Sequence, residues 1–490
     1  MKLLYIDLFC GAGGTSTGVE NARYEGRQCA KVIGCVNHDA NAIASHAANH
    51  PDALHFTEDI RMLELSPLTA HIAEMRRQYP DAFVVVWASL ECTNFSKAKG
   101  GQPRDSDSRT LAEHLFRYIE AINPDYIQIE NVEEFMSWGD LDENGKPISK
   151  DAGRLYLQWV SNVCGYGYRF AHRILNSADY GAYTTRRRFF GIFAKGSLPI
   201  VFPEPTHSKD GATGLFGQMQ RWKPVREVLD FTDEGKSIFG RKKPLVDATL
   251  ERIYAGLIKF VAGGKEAFLV KWNSMSSTGK YHAPSIDEPC PTVATQNRLG
   301  IAQVNFLSKH YGGSPAGKCV SVEEPAGTIT TWDHHSFITA YYGNGHNHSI
   351  DAPAPTLTTR DRLAFVDMQY GNGTPCGIET PAPTVTTNPK HQLVTCRMKQ
   401  QGATIAVTTD DSPAMAKIKR FMALYGIIDI KMRMLRIPEL KRIMGFPSDY
   451  VLVGTQADQK KFIGNAVEVN MARVLCEALC TQLIKNNIAA

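Results

Sequence analysis

The sequence predicts an open α/β sheet interrupted by a β-rich insertion, on three observations. From residue 1 to about 195, short apolar runs alternate with segments of helical period. A glycine-rich turn follows the first of those runs, as it does where α/β sheets bind ligands at their C-terminal edge. Between about 285 and 395 the pattern changes to a repeat of proline-bounded, β-branched segments, and helix-rich sequence resumes from about Leu435.

The candidate strands are Leu3–Leu8, Lys31–Val36, Phe83–Ala88, Tyr126–Ile129, Phe170–Asn176 and Phe189–Phe193. Most are apolar runs of strand length, as expected for strands buried on both faces. Between them, Arg109–Ile122 reads as a helix, because Leu111, Leu115, Tyr118, Ile119 and Ile122 recur at helical spacing. Asn465–Leu483 reads as a second long helix near the C-terminus.

Bulk composition narrows the function classes. The 490 residues suffice for two or three domains. With 43% hydrophobic and 21% charged residues, the chain is neither largely disordered nor collagenous. The longest apolar run, Phe83 to Leu90, is strand-sized, so no membrane association is expected. The N-terminal MKLLYIDLFCGAGG lacks the layout of a signal peptide, since Asp7 interrupts its apolar run. Eleven cysteines are scattered without a C-x-x-C pair, which indicates neither a zinc framework nor a disulfide scaffold. His346 and His348 in GNGHNH read as a polar loop, so no metal is expected. A reducing, cytoplasmic setting and a monomer are the expectation. The net charge of +4 permits nucleic-acid binding without demonstrating it.

Chemistry-bearing residues cluster at the predicted strand exits. Cys92 follows the run Phe83–Ala88 and stands beside Glu91. A cysteine is more often a small core filler, but a strand exit makes this one a candidate nucleophile. Gly11, Gly13 and Gly14 form a turn that lets a ligand approach the backbone. The strict G-x-G-x-x-G fingerprint fails at Ser16, which favours a cofactor without a pyrophosphate. Asp39 and Asp59 follow the next strands, where a carboxylate can accept ribose hydroxyls or simply cap a helix. Glu130 ends the run YIQIE, a costly place for a carboxylate without a partner or a task. Arg186, Arg187 and Arg188 enter the last strand, either as a solvated hairpin or as a clamp for an anion or base edge.

The insertion contains EPCPTVAT, EPAGTITT, APAPTLTT and TPAPTVTT, with spacings of 36, 28 and 28 residues between equivalent threonines. Three residues after each last threonine stands Arg298, His334, Arg362 or Lys390, and six after stands Ile301, Phe337, Phe365 or Leu393. Stacked units would align the cations on one face, which suits a phosphate backbone; a merely solvated set is the plainer alternative.

Taken in order, DLFCGAGG, Cys92 with Phe95-Ser96, ENV, T-x-R-x-R, RIPELKRIMGFP and FIGNAV resemble the DNA (cytosine-5) methyltransferases. Six motifs in one order are far more specific than any one alone. The resemblance implies a Rossmann-like, S-adenosylmethionine-dependent catalytic domain over 1–195 and 433–490. A mainly β target-recognition region, 196–432, would be inserted between them. It implies that a cytosine flipped from double-stranded DNA is attacked by Cys92, assisted by Glu130, with Arg186 and Arg188 holding base and loop. It assigns Phe9, Gly11, Gly13, Gly14, Asp39, Asp59, Ile60 and Asn465 to the cofactor, and Ser96, Arg298, Arg362 and Lys390 to DNA. A cognate restriction endonuclease is an expected partner. Two other readings stay open: an RNA substrate, as in one branch of the family, and a catalytically silent DNA-binding protein. The chain departs from the usual pattern at three places. Glu91-Cys92-Thr93 replaces Pro-Cys-Gln, Tyr183-Thr184 replaces Pro-Gln, and Asp39 stands two places late. It looks like a divergent branch.

Overall fold

The computed structural model describes residues 1–90, 112–140, 142, 152–211, 213–214, 217–230, 232–233, 236–258, 407–425, 427 and 429–486, with short strand segments between 267 and 397. By its internal contacts the chain forms two compact units, Met1–Trp222 with Lys441–Ala490, and Lys223–Leu440.

The first unit is built on seven strands: β1 (Leu3–Leu8), β2 (Ala30–Asn37), β3 (Leu54–Thr57), β4 (Phe83–Ser89), β5 (Tyr126–Asn131), β6 (Tyr168–Asn176) and β7 (Arg187–Lys195). Their order is β3-β2-β1-β4-β5-β7-β6. β7 runs antiparallel to both its neighbours, and the other pairings are parallel. The sequence anticipates six of the seven strands to within two residues at each end. β3 escapes it, because LHFT is a short, half-buried edge strand with no apolar run to announce it.

Alternation decides what each side of this sheet buries. Leu4, Ile6 and Leu8 of β1 join Val84, Val86 and Ala88 of β4 in one core, and Leu3, Tyr5, Phe83, Val85 and Trp87 face the other. Three helices cover the first face: α3 (Ser66–Gln78), α4 (Leu115–Ile122) and α5 (Arg154–Cys164). α1 (Gly14–Glu20) and the C-terminal α7 (Val469–Lys485) cover the second, whereas α2 (Ala40–Asn49) follows β2. Of the helix expected over Arg109–Ile122, only its last two turns, α4, are helix among the described residues; Asn123, at φ +50, stops it. The helix expected over Asn465–Leu483 is corrected at its start. α6 (Gln456–Asn465) ends where the sequence reading began α7, Ala466 turns extended, and Glu468 caps α7 by accepting from the amides of Asn470 and Met471.

α1 lies directly on α7. A Cβ on Gly18 would stand 2.4 Å from the Val469 carbonyl oxygen and 2.6 Å from the Ala472 Cβ. Those obstacles are backbone and a packed methyl, so neither can swing aside. Gly18→Ala is expected to cost about 1–3 kcal/mol, read as a shifted urea midpoint. An unchanged midpoint would show that the two helices can separate freely.

In the second unit, Lys236–Ser237, Ala267–Lys271, Leu299–Gln303, Ala364–Met368, His391–Arg397 and Asp429–Met434 form a six-stranded sheet. The positions of Ile301, Phe365 and Leu393 fall on three of these strands, and that of Phe337 on the short strand His335–Phe337. The first and fourth repeats pair in parallel through Val293–Thr295 and Thr384–Thr387, with Thr295 opposite Thr387.

Candidate active site

The C-terminal edge of the first unit's sheet gathers the predicted chemistry. Leu8 of β1 is level with Ala88 of β4 and Val36 of β2, and Ser89 is level with Glu130 of β5. The glycine turn, the chain leading to Cys92, and Glu130 therefore leave one edge. Asn131 Nδ2 donates to the Leu90 carbonyl at 3.4 Å, tying the two strand ends together.

Glu130 is buried, and its carboxylate faces two guanidinium groups. Arg188 Nε lies 3.3 Å from Oε1, and Arg186 Nη2 lies 3.8 Å from the same oxygen. Arg187 points the other way, exposed and paired with Glu133 at 2.9 Å. Alternation along the chain explains two inward arginines around one outward one, so the triplet is not wholly solvated. Arg186 is itself held: its carbonyl accepts from Ser177, and Nη1 donates to the Gly464 carbonyl at 3.2 Å. This last bond joins the arginine cluster to FIGNAV, 278 residues later. A carboxylate between two fixed cations is anchored for hydrogen bonding or proton exchange with a ligand in front of it.

The glycine turn is shaped for close approach. Phe9 has φ +61, an uncommon value for a residue with a side chain, and Gly11 has φ +52 with open space where its Cβ would be. Gly13 caps α1 at φ +97, and a Cβ there would meet the Tyr450 hydroxyl at 2.4 Å. That hydroxyl donates to the Ala12 carbonyl, so Tyr450 props the turn from behind. The open backbone over Gly11 fits a small cofactor rather than a filled core.

The remaining predicted residues are spread more widely. Asp39 caps α2, accepting from Asn41 and Ala42, and also pairs with Lys461 at 3.1 Å. Asp59 is held by Arg61, whose hydrogen bonds bring its carboxyl down to about 2. The Ile60 side chain is in the core, and its carbonyl accepts from Tyr118 and Arg117. Asn465 is exposed at the end of α6. Cys92, Ser96, Arg298, Arg362 and Lys390 lie outside the described residues.

Sequence reasoning missed Tyr450 and Glu468. Burial pushes the Glu468 carboxyl up to about 7 while it caps α7. Nothing local in the sequence marks either residue, since their partners are remote or depend on where a helix starts.

The family model for C-5 cytosine-specific DNA methylase matches residues 3–215 and 326–481. The chain is 28% identical over 211 residues to Type II methyltransferase M.AgeI of Thalassovita gelatinovora, covering 43% of this chain and 44% of that one. It is 27% identical over 216 residues to Type II methyltransferase M1.HphI of Haemophilus parahaemolyticus, covering 44% and 52%. A longer match, 23% identical over 339 residues, joins it to Type II methylase M.HgiDII of Herpetosiphon aurantiacus, covering 66% and 82%. The chain thus spans about half the length of the first two relatives. With the family model covering well over half its residues, the chain belongs to the C-5 cytosine-specific DNA methylases.

Proposed function

We propose that this chain transfers a methyl group to carbon 5 of a cytosine flipped out of double-stranded DNA. The observation that carries the reading is Glu130, buried between Arg186 and Arg188 at the edge from which the chain runs on to Cys92. In this reading the Cys92 thiolate adds to ring carbon 6 and makes carbon 5 nucleophilic. Glu130 hydrogen-bonds or protonates ring nitrogen 3, which favours that addition. Arg186 and Arg188 keep Glu130 oriented. When bound, S-adenosylmethionine supplies the methyl group. A solvent water then takes the carbon 5 proton as the carbon 6–sulfur bond breaks, which restores the Cys92 thiolate. Phe9, Gly11, Gly13 and Gly14 would hold the cofactor, with Ile60 and Asn465 nearby. Asp39 and Asp59 join them only if their present partners, Lys461 and Arg61, give way.

Target recognition belongs to 196–432 in this proposal, with Arg298, Arg362 and Lys390 on phosphates and Ser96 on DNA beside the nucleophile. Arg362→Ala is expected to weaken binding to all DNA sequences alike and to reduce the salt slope by about 1. A loss confined to one sequence would refute the phosphate role. A cognate restriction endonuclease, a monomeric state and a cytoplasmic location belong to the same proposal. Among the described residues, no helix is long and apolar enough to cross a membrane.

The deciding experiment is nucleoside mass analysis of plasmid DNA after incubation with S-adenosylmethionine, with Cys92→Ser alongside. New 5-methyldeoxycytidine from the parent and none from the variant is the expected result. Unmodified DNA with binding retained would overturn the reaction, and modification by Cys92→Ser would overturn the nucleophile.

A further inference from the structure

Four residues that are distant in sequence meet beneath the glycine turn. Cys10 lies in the turn, Cys35 on β2, His46 on α2 and His55 on β3. The sulfur atoms of Cys10 and Cys35 and a ring nitrogen of His46 lie within 4.8 Å of one another, and all three residues are buried. Cys35 Sγ is 3.6 Å from His46 Nδ1, and His55 Nε2 is 3.0 Å from that same nitrogen. On the other side of the His46 ring, Nε2 is 2.8 Å from Ser16 Oγ, which donates to Asp7 Oδ2 at 2.8 Å. With Ser16 donating to Asp7, its oxygen can accept from His46 Nε2–H, the tautomer that leaves an Nδ1 lone pair toward Cys35 and His55.

From this geometry we infer that Cys10, Cys35, His46 and His55 form a binding site for a borderline-soft divalent cation, with zinc the best match. Two sulfurs and two imidazole nitrogens are the ligand set that such an ion takes in four-coordinate sites. A tetrahedron with metal–nitrogen bonds of ~2.05 Å and metal–sulfur bonds of ~2.3 Å has nitrogen–nitrogen edges of ~3.3 Å and nitrogen–sulfur edges of ~3.6 Å. The observed 3.0 and 3.6 Å lie within a few tenths of an ångström of those two edges, and the Cys10 sulfur, within 4.8 Å of the Cys35 sulfur and the His46 ring, would draw in to complete the set. The Asp7–Ser16–His46 relay supplies the outer hydrogen bond that orients a metal-binding imidazole. His55, half-buried, provides the way in. Binding would release the two thiol protons and clasp the glycine turn to β2, α2 and β3. This site does not depend on the reaction proposed above.

The test uses the full chain, untagged and kept reduced. Elemental analysis after purification with zinc present is expected to give one zinc per chain. Cobalt(II) added to the chelator-stripped protein is expected to produce thiolate charge-transfer bands and the visible bands of a tetrahedral site. His55→Ala, at a half-buried position, should weaken cobalt binding at least ~10-fold, and Cys35→Ser should remove the charge-transfer intensity that Cys35 supplies. Cys480→Ser, whose thiol is buried and donates to the Cys29 carbonyl just before β2, should bind as the parent does. If Cys35→Ser fails to fold, His55→Ala decides. Absence of both zinc and cobalt bands in the parent, or a cobalt affinity unchanged in His55→Ala, would overturn the site.

Discussion

Glu130→Gln is expected to lower the single-turnover rate of methyl transfer by ~10²–10⁴-fold while DNA binding stays within a few-fold. The amide keeps the shape of the carboxylate but cannot pass a proton to a ring nitrogen. It also leaves Arg186 and Arg188 facing a neutral group in a buried place, so some loss of stability accompanies the loss of rate. Measuring transfer from preformed enzyme–DNA complex separates the two, because unfolded protein lowers the amplitude and not the rate. A variant that transfers at more than about a tenth of the parent rate would remove Glu130 from the chemistry. It would leave the carboxylate as a structural counter-ion for the arginines.

Glu439→Ala is expected to have the largest effect on stability, about 3–5 kcal/mol in the second unit. Glu439 is buried and accepts four hydrogen bonds: two from Arg433, at 2.9 Å each, one from the Asp230 amide and one from the Arg436 amide. Arg433 is buried as well, and it also donates to the carbonyls of Asp230, Asp233 and Met434. Removing the carboxylate takes two charged hydrogen bonds from a buried guanidinium and leaves two amides without their acceptor, a cost that water cannot easily repay in a closed site. Urea unfolding of the full chain, followed by a probe in Lys223–Leu440, reads the loss. A change under about 1 kcal/mol would mean that Asp233, 3.0 Å from Arg433, takes over the charge. Glu439 belongs to RIPELKRIMGFP, so part of that motif works by joining β-strand to helix.

Strands β1, β2, β4, β5 and β7 were legible because they bury both faces along most of their length, and a run such as VVVWA has no other comfortable conformation in water. Helix limits were not. Asn123 ends α4 and Glu468 starts α7 through single hydrogen-bonding or backbone choices that helical periodicity does not register. The arginine triplet was half legible: alternation says that Arg186 and Arg188 share a side, but only the neighbouring β5 makes that side the one holding Glu130. Asp39 shows the opposite case, a residue whose local signal suits a cap and a cofactor contact equally, and which the fold uses as a cap.

By itself the sequence determined the alternation of strands and helices, the order of six motifs, and with them the family. These are local or ordered features, written in neighbouring residues. Tertiary structure alone decided which groups meet: Glu130 with two arginines, Arg186 with Gly464, Tyr450 with the glycine turn, and Cys10 and Cys35 with His46, which in turn meets His55. The scattered cysteines offered no C-x-x-C spacing, yet parallel strands bring their ends to one edge however long the connection between them. Contacts across such an edge depend on strand order, and strand order is a property of the whole chain.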